Sequence, residues 1–201
     1  MKKLAHLISY LFHPLIMPSL GLLIILNSGT YLALMDPAAK RAIVFVMALG
    51  TLIFPLMMLP VIQYRNLVLR NGEKGSRGEQ MLTRIIILVL YIITFVYFRQ
   101  LPVNKIIHSY VFSVVLTLFI LVLLNLRLRV SMQLASLGGI SGLIIALIYL
   151  FQTPLQGFLM LGFIAAGITG TLRMAMGDRW GELAGGFLLG FTVVLTTVLL
   201  V

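Results

Sequence analysis

The 201-residue chain contains no cysteine, few charged residues and no long polar segment. Without cysteine, disulfide bonds and thiolate chemistry are excluded. Charged residues make up 10% of the chain, whereas roughly 25% is typical of a soluble domain. A soluble fold of this length would lack the polar surface that water requires, so the solvent around most of the molecule must be hydrocarbon.

Hydrophobic residues make up 61% of the chain, and the mean hydropathy is +1.11. We expect an all-α, polytopic transmembrane helix bundle that forms a single integral membrane domain over residues 1–201. Most of the apolar segments approach the roughly 20 residues that cross a bilayer. The sixth and seventh are marginal, which leaves six spans with one re-entrant segment as an alternative. The seven predicted spans are 7–27, 42–64, 81–98, 106–126, 130–151, 155–172 and 183–201.

The chain has fifteen Lys and Arg residues and only five Asp and Glu residues, which gives a net charge of +10. These basic residues lie in short loops between apolar runs, where they orient a membrane protein, so we do not expect nucleic-acid binding. The positive-inside rule predicts a cytoplasmic N-terminus. Four basic residues fall on the outer side, namely Lys40, Arg41, Arg99 and Lys105. The cytoplasmic side receives Lys2, Lys3, Arg65, Arg70, Lys74, Arg77, Arg84, Arg127, Arg129, Arg173 and Arg179.

Glycine is distributed unevenly, because twelve of the eighteen glycines lie between Gly138 and Gly190. Small residues at helical spacing let membrane helices approach closely. The pattern therefore predicts that spans five to seven form the tight core and that the Leu- and Phe-rich fourth span faces lipid. The alternative is that glycine is simply frequent in membrane helices.

Three clusters of charged residues fall on the predicted cytoplasmic side, at the starts of spans three, five and seven. Arginine can grip phosphate oxygens with two N–H groups, and helix N-termini attract anions. The clusters predict an anion site at the membrane surface; alternatively, they only set the topology and pair with nearby acids. Their members are Arg77, Glu79 and Arg84; Arg127, Arg129 and Ser131; and Arg173, Asp178, Arg179 and Glu182.

Four stretches, taken in order, resemble the type 2 phosphatidic acid phosphatase superfamily, and most closely its short bacterial membrane members. They are the opening Ser9–Pro18, the stretch Asn27–Leu32, Arg129-Val-Ser131 followed by Gly138-Gly139, and the closing Ala184–Gly190. The resemblance covers nearly the whole chain. It implies the helix bundle of that superfamily in a bacterial inner membrane.

The resemblance also implies a phosphohistidine mechanism. Family members hold the phosphate with a K-x6-R-P motif, protonate the leaving group with the His of P-S-G-H, and attack phosphorus with the His of S-R-x5-H-x3-D. Both imidazoles must reach one phosphorus atom. Carried over to this chain, the motifs give five phosphate-binding candidates: Arg77, Arg129, Ser131, Arg173 and Arg179.

The catalytic positions of the motifs are replaced in this chain. Gln133 stands where the acid His is expected, and Arg179 stands where the nucleophilic His is expected. In the first motif Gln80 and Thr83 replace Arg and Pro. The orienting Asp would fall at Leu183.

No imidazole is expected near any of the three motifs. His6 and His13 fall on the first span, and His108 begins the fourth on the opposite side. No pair of His, Asp or Glu has metal-ligand spacing, so we expect no metal site and no cofactor.

The sequence therefore predicts a catalytically degenerate relative of these phosphatases, which binds a phosphate-bearing membrane lipid or headgroup at the cytoplasmic face. Two alternatives stay open: an active lipid phosphate or pyrophosphate phosphatase, and a non-catalytic membrane scaffold. The sequence favours a protein that is not an enzyme, and it gives no indication of the oligomeric state.

Overall fold

The computed structural model of the protein describes residues 13–58 and 77–200, without the side chains of residues 31, 33 and 77–80. Within these ranges the chain is helical and contains no β-strand. A short 3-10 turn, Tyr31–Leu34, follows the first helix. The helices are α1 (Met17–Asn27), α2 (Pro37–Met58), α3 (Arg77–Gln100), α4 (Lys105–Leu124), α5 (Met132–Phe151), α6 (Gln156–Ala175) and α7 (Trp180–Leu199).

Six helices, α2 to α7, are long and apolar enough to cross a membrane. Large apolar side chains such as Phe45, Tyr149 and Phe158 are exposed on them, as expected of a multi-pass membrane protein. The two spans expected to be marginal are full helices of 20 residues each. The described part of the first predicted span is shorter, because α1 has 11 residues and is about 16 Å long at 1.5 Å per residue.

Capping side chains set several helix starts that hydropathy alone does not reveal. The Asp36 carboxylate accepts hydrogen bonds from the backbone N–H groups of Ala38 and Ala39, at 3.0 and 3.2 Å, so α2 begins five residues before the predicted span at 42. Residues 59–64 of that predicted span lie outside the described residues. Asn104 caps α4 in the same way through the N–H of Ile106.

The largest helix–helix interface joins α5 and α7, which confirms the predicted contact between spans five and seven. Glycines on both helices allow backbone to meet backbone: a Cβ atom on Gly142 would lie 2.5 Å from the Phe191 carbonyl oxygen, and one on Gly138 would overlap that of Phe187. In return, Gly186 lies against Ser131 and Gly190 against Ala135. The glycines are therefore packing residues here.

Two parts of the packing prediction are wrong. The fourth span does not mainly face lipid, because 56% of its most apolar 18-residue window is buried, including the stripe Tyr110, Ser113 and Thr117, although Phe112, Phe119 and Leu123 are exposed. The sixth span does not belong to the tight core, because only 17% of α6 is buried. A Leu- and Phe-rich surface suits protein and lipid neighbours equally, so composition could not distinguish the two.

Connections of four residues join α3 to α4, α5 to α6 and α6 to α7, which makes these neighbours antiparallel. The starts of α3, α5 and α7 therefore lie at one end of the bundle, together with the ends of α4 and α6. We call it the basic end. The cluster around Arg173 does not lie wholly at the start of span seven, because Arg173 is in the last turn of α6. Arg99 and Lys105 lie at the opposite end.

Candidate functional site

An open cavity of about 660 Å³, here called the arginine cavity, lies at the basic end. Its charged lining comes from α3, from the α4–α5 loop, from α6, from the segment that leads into α7 and from the first turn of α7. Four guanidinium groups and two carboxylates give a formal charge of +4 − 2 = +2. These residues are Arg84, Arg127, Arg129, Arg173, Asp178 and Glu182.

Hydrogen bonds fold the α4–α5 loop that carries Arg127 and Arg129. The side-chain amide of Asn125 donates to the Leu121 carbonyl at 2.8 Å and accepts from the Val130 N–H at 3.1 Å. The Ser131 N–H donates to the Glu182 carbonyl at 3.0 Å. The loop is therefore fastened to α4 on one side and to α7 on the other, which holds both arginines at the mouth of the cavity.

Arg173 is oriented by two side chains. Its Nε–H donates to the Gln133 side-chain oxygen at 3.0 Å, and its Nη1 donates to the Asp178 carboxylate at 3.2 Å. Gln133 is only 2% exposed, so the Nε edge of the guanidinium is fixed from inside the bundle. Arginine carries five N–H donors, and these two bonds leave the other donors on its Nη groups available.

The Gln133–Arg173 contact joins two stretches that the predicted resemblance assigns to different motifs. The resemblance puts Gln133 at the acid histidine of the second motif and Arg173 in the third, 40 residues further along the chain. A buried glutamine here accepts a hydrogen bond and holds an arginine, which is a positioning role and not an acid–base role.

The other three arginines of the cavity make no salt bridge with any carboxylate in the described part of the chain. Arg127 and Arg129 are exposed, whereas Arg84 is half-buried. A partly desolvated charge without a counter-ion is costly, and an anion in the cavity would relieve that cost. Within the described residues, pairing with nearby acids accounts for Arg173 alone.

The structure brings three of the five predicted phosphate-binding residues, Arg129, Ser131 and Arg173, to the arginine cavity. The Ser131 hydroxyl caps α5 by accepting from the Leu134 N–H at 3.4 Å. Arg179 lines an adjoining cavity of about 750 Å³, which shares five lining residues with the first: Arg127, Leu128, Arg129, Val130 and Glu182. Arg77 begins α3, and its side chain is outside the described residues.

Arg84, Arg127, Asp178 and Glu182 belong to the charged clusters that predict an anion site, but not to the five phosphate-binding candidates, and all four line the arginine cavity. The sequence carried a signal for Arg84, because an arginine inside an apolar run is a functional candidate by default. The roles of the two acids depend on which arginines face them, and that information exists only in the folded chain.

The expectation that no imidazole lies near any motif is wrong for His13. His13 lines a cavity of about 300 Å³ with Thr83 and Arg84 of the first motif region, although it does not line the arginine cavity. Its Nδ1 accepts from the Leu15 N–H at 3.4 Å. His108 bonds the Phe98 carbonyl at 2.9 Å, at the opposite end of the bundle, and His6 lies outside the described residues.

No group of three His, Cys, Asp or Glu residues in the described ranges could hold a metal ion. Comparison of the chain with family models, with characterised proteins and with solved structures gives no match. The phosphatase resemblance therefore depends on the motif residues alone.

Proposed function

We propose that this protein is a catalytically degenerate relative of the type 2 phosphatidic acid phosphatases, which binds a phosphate-bearing lipid or headgroup in the arginine cavity without hydrolysing it. The proposal rests mainly on the surroundings of Arg84. This guanidinium is half-buried, faces the same cavity as Arg129 and Arg173, and has no carboxylate partner among the described residues.

Binding of phosphate uses groups that the cavity already orients. Gln133 fixes the Nε edge of Arg173, so the Nη donors can meet two phosphate oxygens without a large loss of rotamer entropy. Arg84 and Arg129 add charge from two other elements. The N-termini of α5 and α7 lie at the same end and favour negative charge.

Hydrolysis by the family's route needs an imidazole that attacks phosphorus and an acid that protonates the departing oxygen. Arg179 cannot attack, because a guanidinium stays protonated and has no free lone pair. Gln133 cannot protonate a leaving group, and its oxygen is engaged by Arg173. The replacements leave ground-state binding possible and remove both catalytic steps.

His13 is the observation that favours an active phosphatase as the second candidate, because it lines a cavity with Arg84. However, its Nδ1 lone pair accepts from the Leu15 N–H, and the matching neutral tautomer carries its proton on Nε2. Attack on phosphorus would first require that bond to break. Phosphate release that is lost in His13→Ala would favour this candidate.

The binding experiment uses purified protein and two probes, glycerol 3-phosphate in solution and phosphatidic acid in nanodiscs. We expect measurable affinity that weakens with added salt, no phosphate release, and roughly tenfold weaker binding in Arg84→Gln. Arg99→Gln, at the opposite end of the same helix, is the matched control and should bind like the parent. Equal binding by both variants, or robust phosphate release by the parent that disappears in Arg173→Ala, would overturn the proposal.

We also propose that the basic end faces the cytoplasm in a bacterial inner membrane, with a cytoplasmic N-terminus, on the basis of the distribution of basic residues. The chain has no cysteine, so single cysteines can report on each end. In sealed inverted inner-membrane vesicles, whose cytoplasmic face is outside, an impermeant thiol reagent should label Leu128→Cys and not Gln100→Cys. The opposite labelling pattern would reverse the orientation.

A further inference from the structure

The cavity of about 750 Å³ that Arg179 lines extends between the end of α4 and the start of α7, which are neighbouring helices. We call it the α4–α7 groove. Leu124, the last residue of α4, lines the groove on one side, and Gly181 and Gly185 of α7 line it on the other. Its walls therefore include the outer surfaces of two helices that are long and apolar enough to cross a membrane.

Two glycines leave a furrow in the α7 wall of this groove. Gly181 and Gly185 are four residues apart, so they lie on the same face of the helix. Both are exposed, and no described part of the chain lies within 4 Å of the Cβ position of either. Gly186 and Gly190 differ, because a Cβ atom on them would meet the backbone of α5 or of its N-cap. Thus α7 packs through one pair of glycines and leaves the other pair open.

The furrow runs from the headgroup level of a bilayer into its hydrocarbon. Because α7 has 20 residues, its length of about 30 Å matches a hydrocarbon core of roughly 30 Å. Trp180, the first residue of α7, is 68% exposed, as is typical of aromatic side chains at the membrane interface. Arg179 therefore lies at the level of the lipid phosphates, and Gly185 lies about 9 Å deeper, at the level of the acyl chains.

Basic side chains gather at the shallow end of the groove. Arg127, Arg129 and Arg179 line it with one carboxylate, that of Glu182, so the formal charge is +3 − 1 = +2. The three arginines are exposed and make no salt bridge within the described residues. Arginine binds phosphate oxygens through charge-assisted hydrogen bonds. Positive charge at the headgroup level above an apolar furrow complements a lipid that has a negative headgroup and an acyl chain.

We propose that the α4–α7 groove binds an anionic phospholipid of the bilayer. The lipid phosphate lies among the three arginines, and one acyl chain lies along the glycine furrow. The groove is a second site beyond the proposed function, because neither Arg84 nor Arg173 lines it, although it shares Arg127 and Arg129 with the arginine cavity. A free phosphate would leave the furrow unfilled, so the chain adds to the affinity of a lipid by burying apolar surface.

The features of the groove also have explanations that need no ligand, since glycine is frequent in membrane helices and arginines set the topology. These explanations predict that a side chain added in the furrow leaves lipid binding unchanged. A bound lipid predicts the opposite, because the added side chain would occupy the space of the acyl chain.

The test titrates the purified protein in detergent with phosphatidylglycerol and with phosphatidylcholine of the same acyl chains, and native mass spectrometry measures both affinities. The parent should prefer phosphatidylglycerol by about fivefold. Gly185→Leu should weaken phosphatidylglycerol binding by about fivefold as well. Gly167→Leu is the matched control and should bind like the parent, because Gly167 is an equally exposed glycine of α6 with no described neighbour within 4 Å. Thermal unfolding in detergent verifies that both variants fold.

Equal affinity of the parent for the two lipids, or equal phosphatidylglycerol binding by the two glycine variants, would overturn the inference. Phosphatidylglycerol binding that is lost in Arg84→Gln and kept in Gly185→Leu would place the lipid in the arginine cavity, which overturns the inference and leaves the proposed function standing. Glycerol 3-phosphate distinguishes the two sites in the other direction. Gly185→Leu should bind it like the parent, because Gly185 does not line the arginine cavity; loss of that binding would show one common site and overturn the separate lipid groove.

Discussion

The α5–α7 interface ends at the arginine cavity, where α5 and α7 contribute only residues of their first turns, and the two regions are opposite environments. Along the interface, glycines bring backbones together and leave no room for a side chain. At the basic end, the first turns of the two helices line an open cavity together with charged residues such as Arg129 and Arg173. Gly186 against the Ser131 backbone marks the boundary between the two regions. A rigid, uncharged helix contact can therefore fix the positions of charged groups that line an adjoining open cavity.

The largest effect is expected at the interface. Gly190→Ala should destabilise the bundle by about 1–3 kcal/mol, because the new methyl group would overlap the Ala135 backbone, which cannot move as a side chain can. Thermal unfolding in detergent measures the effect. Gly185→Ala is the matched control, since nothing lies within 4 Å of its Cβ position. If both variants unfold like the parent, the close approach of α5 and α7 is wrong.

The second-largest effect is expected in the arginine cavity. Arg173→Ala should weaken phosphate binding by about tenfold, because charge-assisted hydrogen bonds of roughly 1.5–3 kcal/mol are lost, and it should lower the unfolding temperature only modestly, because the buried Gln133 oxygen loses one donor. The ion pair with Asp178 is too exposed to contribute much stability. Titration with glycerol 3-phosphate measures the affinity. Unchanged affinity with a lowered unfolding temperature would make Arg173 a structural residue.

Gln133 lies on α5 and holds Arg173 of the cavity. Its substitution should therefore lower phosphate affinity less than Arg173→Ala does and more than Arg179→Ala does. Gln133→Leu removes the buried acceptor of the Arg173 Nε–H and should reduce phosphate affinity by roughly threefold to fivefold, because the guanidinium loses its fixed orientation. Gln133→Glu keeps an acceptor oxygen and should retain more of the affinity. If the two variants bind phosphate equally weakly, orientation by this side chain is not what matters.

The smallest effect is expected for Arg179. It lines the neighbouring cavity and not the arginine cavity, so Arg179→Ala should lower phosphate affinity by less than about twofold, through loss of a screened charge. The same titration measures it, beside Arg173→Ala. A loss as large as that of Arg173→Ala would show that the two cavities act as one site.

Hydropathy predicted the helices of this protein closely, because six long apolar segments have no alternative to a helical structure in lipid. It failed where protein and lipid are chemically alike. The buried stripe of α4, Tyr110, Ser113 and Thr117, is spaced at i, i+3 and i+7, and that polar spacing was the available sign of burial. The small residues of α6 do not indicate whether they contact protein or lipid. No protein atom lies within 4 Å of the Cβ positions of Gly167 and Gly170 in this helix.

The sequence predicted which residue types form the candidate site, but it did not predict which of them contact each other. Arginines at the ends of spans are visible in the sequence, and Gln133 was identified as a replaced position. Its contact with Arg173 joins residues 40 apart, and the separation of Arg179 from the arginine cavity depends on where α6 ends and α7 begins. Such relations arise from packing, which a single sequence does not record.

In the proposed function, Arg84, Arg129 and Arg173 bind one phosphate together. The most direct measurement is an experimental structure of the protein with tungstate, a heavy phosphate mimic that anomalous scattering locates without ambiguity. We expect tungstate in the arginine cavity, within hydrogen-bond distance of the Arg173 Nη groups. Tungstate bound only elsewhere at the basic end, with the arginine cavity empty at saturating concentration, would contradict it.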